Sequence, residues 1–150
     1  MAGLNTRKHL EKKIIIKNKT NQRLPLSLAR IERVAVKVLE SLVTSCQWAI
    51  GISFLSDRQI QLLNKRYLKL DRPTDVLSFN YLEHSADIAI SLDTAKRNAK
   101  IYSTSYKDEL LLYIIHGFLH IFGYDDVKRE AKTRMFRKQE EIFRKIYSLA

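Results

Sequence analysis

The sequence predicts an α+β (or α/β) domain: a mixed sheet of about four strands covered by about five helices. Three observations carry this reading. Apolar residues recur with the helical period in some segments and alternate as in strands in others, and the two kinds are interleaved along the chain. The length of 150 residues fits one domain with a real core, so residues 1–150 read as a single unit. Helical segments separate most strands, which requires crossover connections; only the third and fourth strands are close enough to form a hairpin. No internal repeat, linker or low-complexity tract divides the chain.

Residues 1–12 are polar and basic and read as a frayed end. Lys13 to Lys17 contains Ile14-Ile15-Ile16, a short strand, and Asn18 to Pro25 is a polar loop. Ser27 is placed to cap a helix in which Leu28, Ile31, Val34, Val38, Leu39 and Leu42 keep helical spacing up to about Thr44. Trp48 to Leu55 alternates as a strand. Ser56 and Asp57 open a second helix with Ile60, Leu63 and Tyr67 on one side, ended by Leu70-Asp71-Arg72-Pro73. Thr74 to Tyr81 and Asp87 to Ser91 are the third and fourth strands. Asp93 to Lys100 is helical, Tyr106 to Phe122 is a long apolar helix, and Val127 to Tyr147 is a last helix with Ala131, Met135, Ile142 and Ile146 inward.

The long helix carries the most informative residues. His116 and His120 are four apart, hence on one face and able to reach one ion. Gly123 follows, a residue suited to the left-handed conformation that ends a helix and turns the chain back. That turn brings Asp126 toward the same point, with Asp125 as the competing third ligand. Two His and a carboxylate leave room for water or substrate, as in catalytic zinc centres. The spacing His, +4, Gly at +7, ligand at +10 is that of the metzincin proteases, but Gly117 stands where those enzymes carry the glutamate base. A peptidase is therefore disfavoured.

The formal net charge of +11 and pI near 9.8 favour a polyanionic partner, nucleic acid first. The last 24 residues hold eight Lys/Arg against three Glu, and Lys128, Arg129, Lys132, Arg134, Arg137 and Lys138 are expected mostly on the outer face of the last helix, beside the metal loop. Cys46 is the single cysteine, so no internal disulfide forms; it is expected to pack as a small apolar residue near a helix end. No signal-peptide core and no apolar run of transmembrane length is present, so a soluble, cytoplasmic protein with no membrane partner is expected.

Residues 116 to 125 resemble the signature of the YbeY family of bacterial endoribonucleases, His-Gly-x-Leu-His-x-x-Gly-Tyr-Asp-His. A second block fits as well: Leu63-Asn64, Tyr67, Asp71 and Pro73-Thr74-Asp75-Val76-Leu77-Ser78-Phe79. Asp87-Ile88-Ala89-Ile90-Ser91 is similar to a third, and Glu109, Glu130 and Met135 fall where the family has them. The resemblance implies a single-strand-specific, metal-dependent endoribonuclease acting on ribosomal RNA (the 3′ end of 16S rRNA) and in ribosome quality control, with the ribosome as partner. The metal it implies is zinc, held by His116, His120 and Asp126.

Two positions depart from the family pattern. Asp126 replaces its third His; an anionic ligand lowers the charge of the centre by one, which predicts tolerance for harder ions such as Mn2+ beside Zn2+. Leu68 replaces an Arg that faces the family's active site, and Arg66, Lys69 and Arg72 are the candidates for RNA contact in its stead. The general base is not fixed by the sequence; Asp75 and a metal-activated water are candidates, and attack by the RNA 2′-hydroxyl is a further route. The rival readings are a ribosome-associated RNA-binding protein with weak or no nuclease activity and, behind it, a metalloprotease.

Overall fold

The computed structural model describes residues 13–43 and 47–150; the expectations for residues 1–12 and Cys46 lie outside the described residues. Four strands and five helices follow in the order β1 (Lys13–Asn18), α1 (Leu28–Leu42), β2 (Ala49–Leu55), α2 (Asp57–Leu68), β3 (Val76–Tyr81), β4 (Ser85–Ser91), α3 (Leu92–Ile101), α4 (Tyr106–Ile121) and α5 (Arg129–Ile146), closed by a short 3₁₀ turn. The sheet runs β1-β2-β4-β3. β1 and β4 flank β2 in parallel, and β3 pairs antiparallel with β4 through the expected hairpin. Every predicted element is present, with ends displaced by a few residues.

Local chemistry sets the helix starts. Ser27 Oγ accepts the Arg30 amide, and Ser56 forms a reciprocal capping box with Gln59. Ser91 and Ser105 cap α3 and α4 in the same manner. The last helix lacks a side-chain cap and begins at Arg129 rather than Val127.

Alternation along the strands divides the sheet into two faces. Ile50, Ile52 and Phe54 of β2 and Ile88 and Ile90 of β4 point into the main core with Ile31 and Val38 of α1, Ile114 and Phe118 of α4, and Met135 and Ile142 of α5. On the other face, α2 packs Ile60 and Leu63 over Leu55, Leu77 and Ala89, covering part of the sheet.

One polar network ties α2 to α3. Asp57 Oδ1 accepts from Ser91 Oγ and Thr94 Oγ1, both at 2.7 Å, and its Oδ2 accepts from Arg97 at 3.0 Å. Asp93 Oδ2 in turn accepts the Asp57 amide at 2.8 Å. Both carboxylates sit at helix N-termini, where negative charge is favoured. Burial alone would raise the Asp57 pKa, but the bonds from Ser91, Thr94 and Arg97 and the Arg97 charge outweigh it and hold the carboxyl below its usual range. A depressed folded pKa stabilises the protein above the unfolded value and loses that stabilisation as pH falls through the folded one. Asp57→Asn is therefore expected to cost about 1–3 kcal/mol at neutral pH, the worth of hydrogen bonds to a charged group. Denaturant unfolding at neutral and acid pH checks this: the gap between variant and parent should close as pH drops below about 4.

Candidate metal centre

The centre is built where α4 crosses the sheet. A Cβ at Gly117 would come within 2.6 Å of Ile88 Cγ2 and 3.2 Å of Val76 Cγ1, so only glycine lets the helix lie this close to β3 and β4. Two strand residues then anchor the helix backbone: Ser78 Oγ donates to the Gly117 carbonyl at 2.8 Å, and Asn80 Nδ2 donates to the Ile121 carbonyl at 3.0 Å. Ile121 belongs to the last turn, whose carbonyls lack intrahelical partners. With residue 117 facing the sheet, His116 and His120 both lie off to one side of that contact, at about 100° per residue. Gly117 thus faces the core, and a glutamate base at that position would be buried in apolar packing.

The end of α4 is a Schellman turn. The Gly123 amide bonds the His120 carbonyl at 3.2 Å and the Tyr124 amide bonds the Leu119 carbonyl at 3.0 Å. Gly123 has φ +90°, and nothing lies within 4 Å of a Cβ built on it, so glycine is required here for its backbone conformation alone. Asp125 then accepts the Val127 amide at 2.9 Å, closing an Asx-type turn. The chain returns with Asp126 Oδ2 3.6 Å from His116 Nε2 and 3.7 Å from His120 Nε2. The two Nε2 atoms are 2.9 Å apart.

Those three separations suit a divalent ion. Four tetrahedral ligands at about 2.0–2.1 Å from zinc stand about 3.3 Å from one another. Among the described residues, these three form the one cluster of His, Cys, Asp or Glu with donor atoms close enough to share an ion. All three side chains keep access to solvent, at 28%, 32% and 42% exposure, which leaves a side open to substrate. Gln139 of α5, a residue that sequence reasoning missed, accepts from His116 Nδ1 at 3.3 Å. A proton on Nδ1 leaves the Nε2 lone pair free for an ion. Burial, and then the neighbouring His120, push the His116 pKa below the usual imidazole value, which favours the neutral, ligating form.

The other sequence candidates are placed differently. Asp75 lies just ahead of β3 with its Oδ1 accepting the Val76 amide at 2.8 Å, and none of its hydrogen bonds among the described residues reaches a His. Arg66, Lys69 and Arg72 are exposed at the end of α2 and in the following loop, with Leu68 also 54% exposed. Lys69 Nζ donates to the Arg66 carbonyl and Arg66 lies over the Tyr67 ring, so both engage their own turn. No hydrogen bond or ion pair among the described residues joins these three to the His–Asp trio. Arg129 and Lys132 of α5 are exposed, as expected, and also line a cavity of about 360 Å³ together with His116, Asp126, Phe136 and Gln139. The α5 spacing Arg129, Lys132, Phe136, Gln139 is one helical stripe, a signal readable in the sequence only once Gln139 is known to face His116.

Comparison with known proteins shows the family and the fold. The profile of a family described as Endoribonuclease YbeY matches residues 15–147. The Endoribonuclease YbeY of Syntrophus aciditrophicus is 36% identical over 141 residues, 87% of each chain. That of Oceanobacillus iheyensis is 38% identical over 108 residues, 62% of this chain and 70% of its own. The solution structure of TM1509 from Thermotoga maritima superposes with a TM-score of 0.64 at 25% identity, covering 90% of this chain and 89% of that one.

Two outcomes follow from the geometry. His120→Ala is expected to abolish tight binding of one equivalent of Zn2+ in a calorimetric titration, and Gln139→Ala to weaken it by about 10–100-fold, as for lost partners of metal-bound imidazoles. Gly117→Ala is expected to lower stability by about 1–3 kcal/mol in denaturant unfolding, despite alanine's better helix propensity, because the added methyl overpacks the helix–sheet contact.

Proposed function

Because the chain belongs to the YbeY endoribonuclease family, we infer that it cleaves RNA at the His116, His120 and Asp126 centre, with a divalent ion, Zn2+ or Mn2+, as cofactor. The observation that carries this reading is that three donor atoms suited to one ion lie together, two of them, on His116 and Asp126, at a cavity also lined by Arg129 and Lys132. When bound, the ion supplies Lewis acidity next to a phosphodiester. The protein's own groups do the rest. Gln139 fixes the ring and tautomer of His116, and Asp126 opposes the positive charge of the ion. Arg129 and Lys132 hold phosphates of the strand, with Arg66, Lys69 and Arg72 as further contacts along the α2 side. Asp75, just ahead of β3, is the candidate proton acceptor.

The finer assignment is maturation of ribosomal RNA at the 3′ end of the 16S species, together with ribosome quality control, in the cytoplasm. Single-stranded RNA suits a centre on an open surface, and a net charge of +11 suits a particle as rich in phosphate as the ribosome. Among the described residues no helix is long and apolar enough to cross a membrane. The metalloprotease alternative has lost its base position, since Gly117 is buried against Ile88 and Val76.

The test is cleavage of end-labelled single-stranded RNA by protein loaded with Zn2+ or Mn2+. Cutting is expected with the parent, to vanish in His120→Ala, and to fall by one to two orders of magnitude in Asp75→Asn if that carboxylate takes the proton. RNA bound but uncut by the metal-loaded parent would replace the nuclease with an RNA-binding function.

A further inference from the structure

The face of the sheet opposite α4 is only partly covered by α2, and the uncovered part is a trough of about 440 Å³. Its chemistry is divided. Lys13 and Lys17 stand along edge strand β1, both exposed, with Ile15 between them on the same face. At the other side, β3 supplies Phe79 and Tyr81, and α2 supplies Tyr67, whose ring meets Phe79 edge-on at 5.2 Å between centroids. Tyr67 and Tyr81 are 54% and 55% exposed, a large aromatic area to leave in water. Between the two sides the floor is low: Gly51 of β2 leaves room for the Asp87 carboxylate of β4, which a Cβ there would strike. Asp87 accepts the Tyr81 hydroxyl at 3.0 Å.

The geometry points to a second, non-catalytic RNA-binding tract on this open sheet face, holding single-stranded RNA with its phosphates along β1 and its bases over the aromatic side. Three features fix that occupant and its orientation. Cations in a row beside exposed aromatic rings are the combination that binds single strands, since every base offers a face to stack and every linkage a charge to pair. Lys13 and Lys17 are four residues apart on a strand, about 13 Å at about 3.3 Å per residue, so they meet different phosphates. Asp87 repels phosphate from the middle of the trough yet accepts an N–H from a base edge, which places backbone and bases on opposite sides of it. The trough is separate from the metal centre, because α4 packs on the other face through Gly117. The inference rests on the ribonuclease reading for the identity of the polymer, not for the site.

Photo-crosslinking tests it without requiring turnover. Full-length protein carrying His120→Ala is irradiated with a single-stranded RNA containing 4-thiouridine, and the modified peptides are mapped by mass spectrometry. Crosslinks are expected on Tyr67, Phe79 or Tyr81. Fluorescence anisotropy across a salt series should show that Lys13→Gln with Lys17→Gln flattens the slope of log affinity against log salt by about 1.4, two phosphates at about 0.7 each. Tyr81→Ala should weaken binding on the order of tenfold, the loss of one stacked base, while Tyr81→Phe retains the affinity. Crosslinks confined to α5 and the metal loop, or an unchanged salt slope in the folded double variant, would overturn the proposal. An oligoglutamate that competes as well as RNA of equal charge would also overturn it, by reducing the trough to a nonspecific cation patch. Failure of the nuclease reading looks different: the parent would not cut, yet the crosslinks at the trough would remain.

Discussion

Helix α4 can serve as the scaffold of the metal centre because nothing separates its backbone from the sheet at Gly117. Contact with Ile88 and Val76 fixes how far the helix descends, and the hydrogen bonds from Ser78 and Asn80 fix where along β3 it stops. Once rotation and position are set, the directions of His116 and His120 follow from helical geometry. A larger residue at 117 would lift the helix and turn both imidazoles together, so the packing of a buried glycine governs the adjacent face of the same helix turn.

The third candidate ligand depends on a different device. Asp126 lies beyond the helix and reaches the histidines through two consecutive local structures, the Schellman turn at Gly123 and the Asx turn at Asp125. Each uses short-range hydrogen bonds, so the loop is defined by its own residues more than by what surrounds it. Gln139 brings in α5, whose Met135, Ile142 and Ile146 are buried in the same core as α4. The three candidate ligands are therefore held by a helix, a turn and a second helix, and the two helices share one apolar core, an arrangement that fixes their positions.

Charge is distributed with equal economy of position. The acidic groups that carry structural load, Asp57 and Asp93, are turned inward onto helix N-termini and hydroxyls. Much of the basic surplus is left on exposed strand and helix positions, including Lys13 and Lys17 of β1 and Arg129 and Lys132 of α5. Positive side chains thus stand on both sides of the sheet, with one carboxylate beside each group: Asp126 with Arg129 and Lys132, and Asp87 in the trough with Lys13 and Lys17.

Periodicity made the elements legible in the sequence. Strand alternation in Trp48 to Leu55, helical spacing from Leu28 to Leu42 and the serines ahead of α1 and α2 are local signals, and each survived folding because tertiary packing agreed with it. The His–His–Gly–Asp spacing was legible for the same reason: helix pitch and a glycine turn are short-range geometry, so His116, His120 and Asp126 could be named before any fold was known. The strand order could not be read, since parallel pairing of β2 with β1 and β4 depends on contacts remote in sequence. Nor could the contact of Gln139 with His116, the cavity that Arg129 and Lys132 share with His116 and Asp126, or the local contacts that Arg66 and Lys69 make within their own turn. A helix sequence gives the angle between its own residues but not the rotation of one helix against another, and that rotation is set only when Met135, Ile142 and Ile146 find their places in the core. The sequence by itself determined which residues share a helix face and which turn follows; the tertiary structure decided what those faces meet.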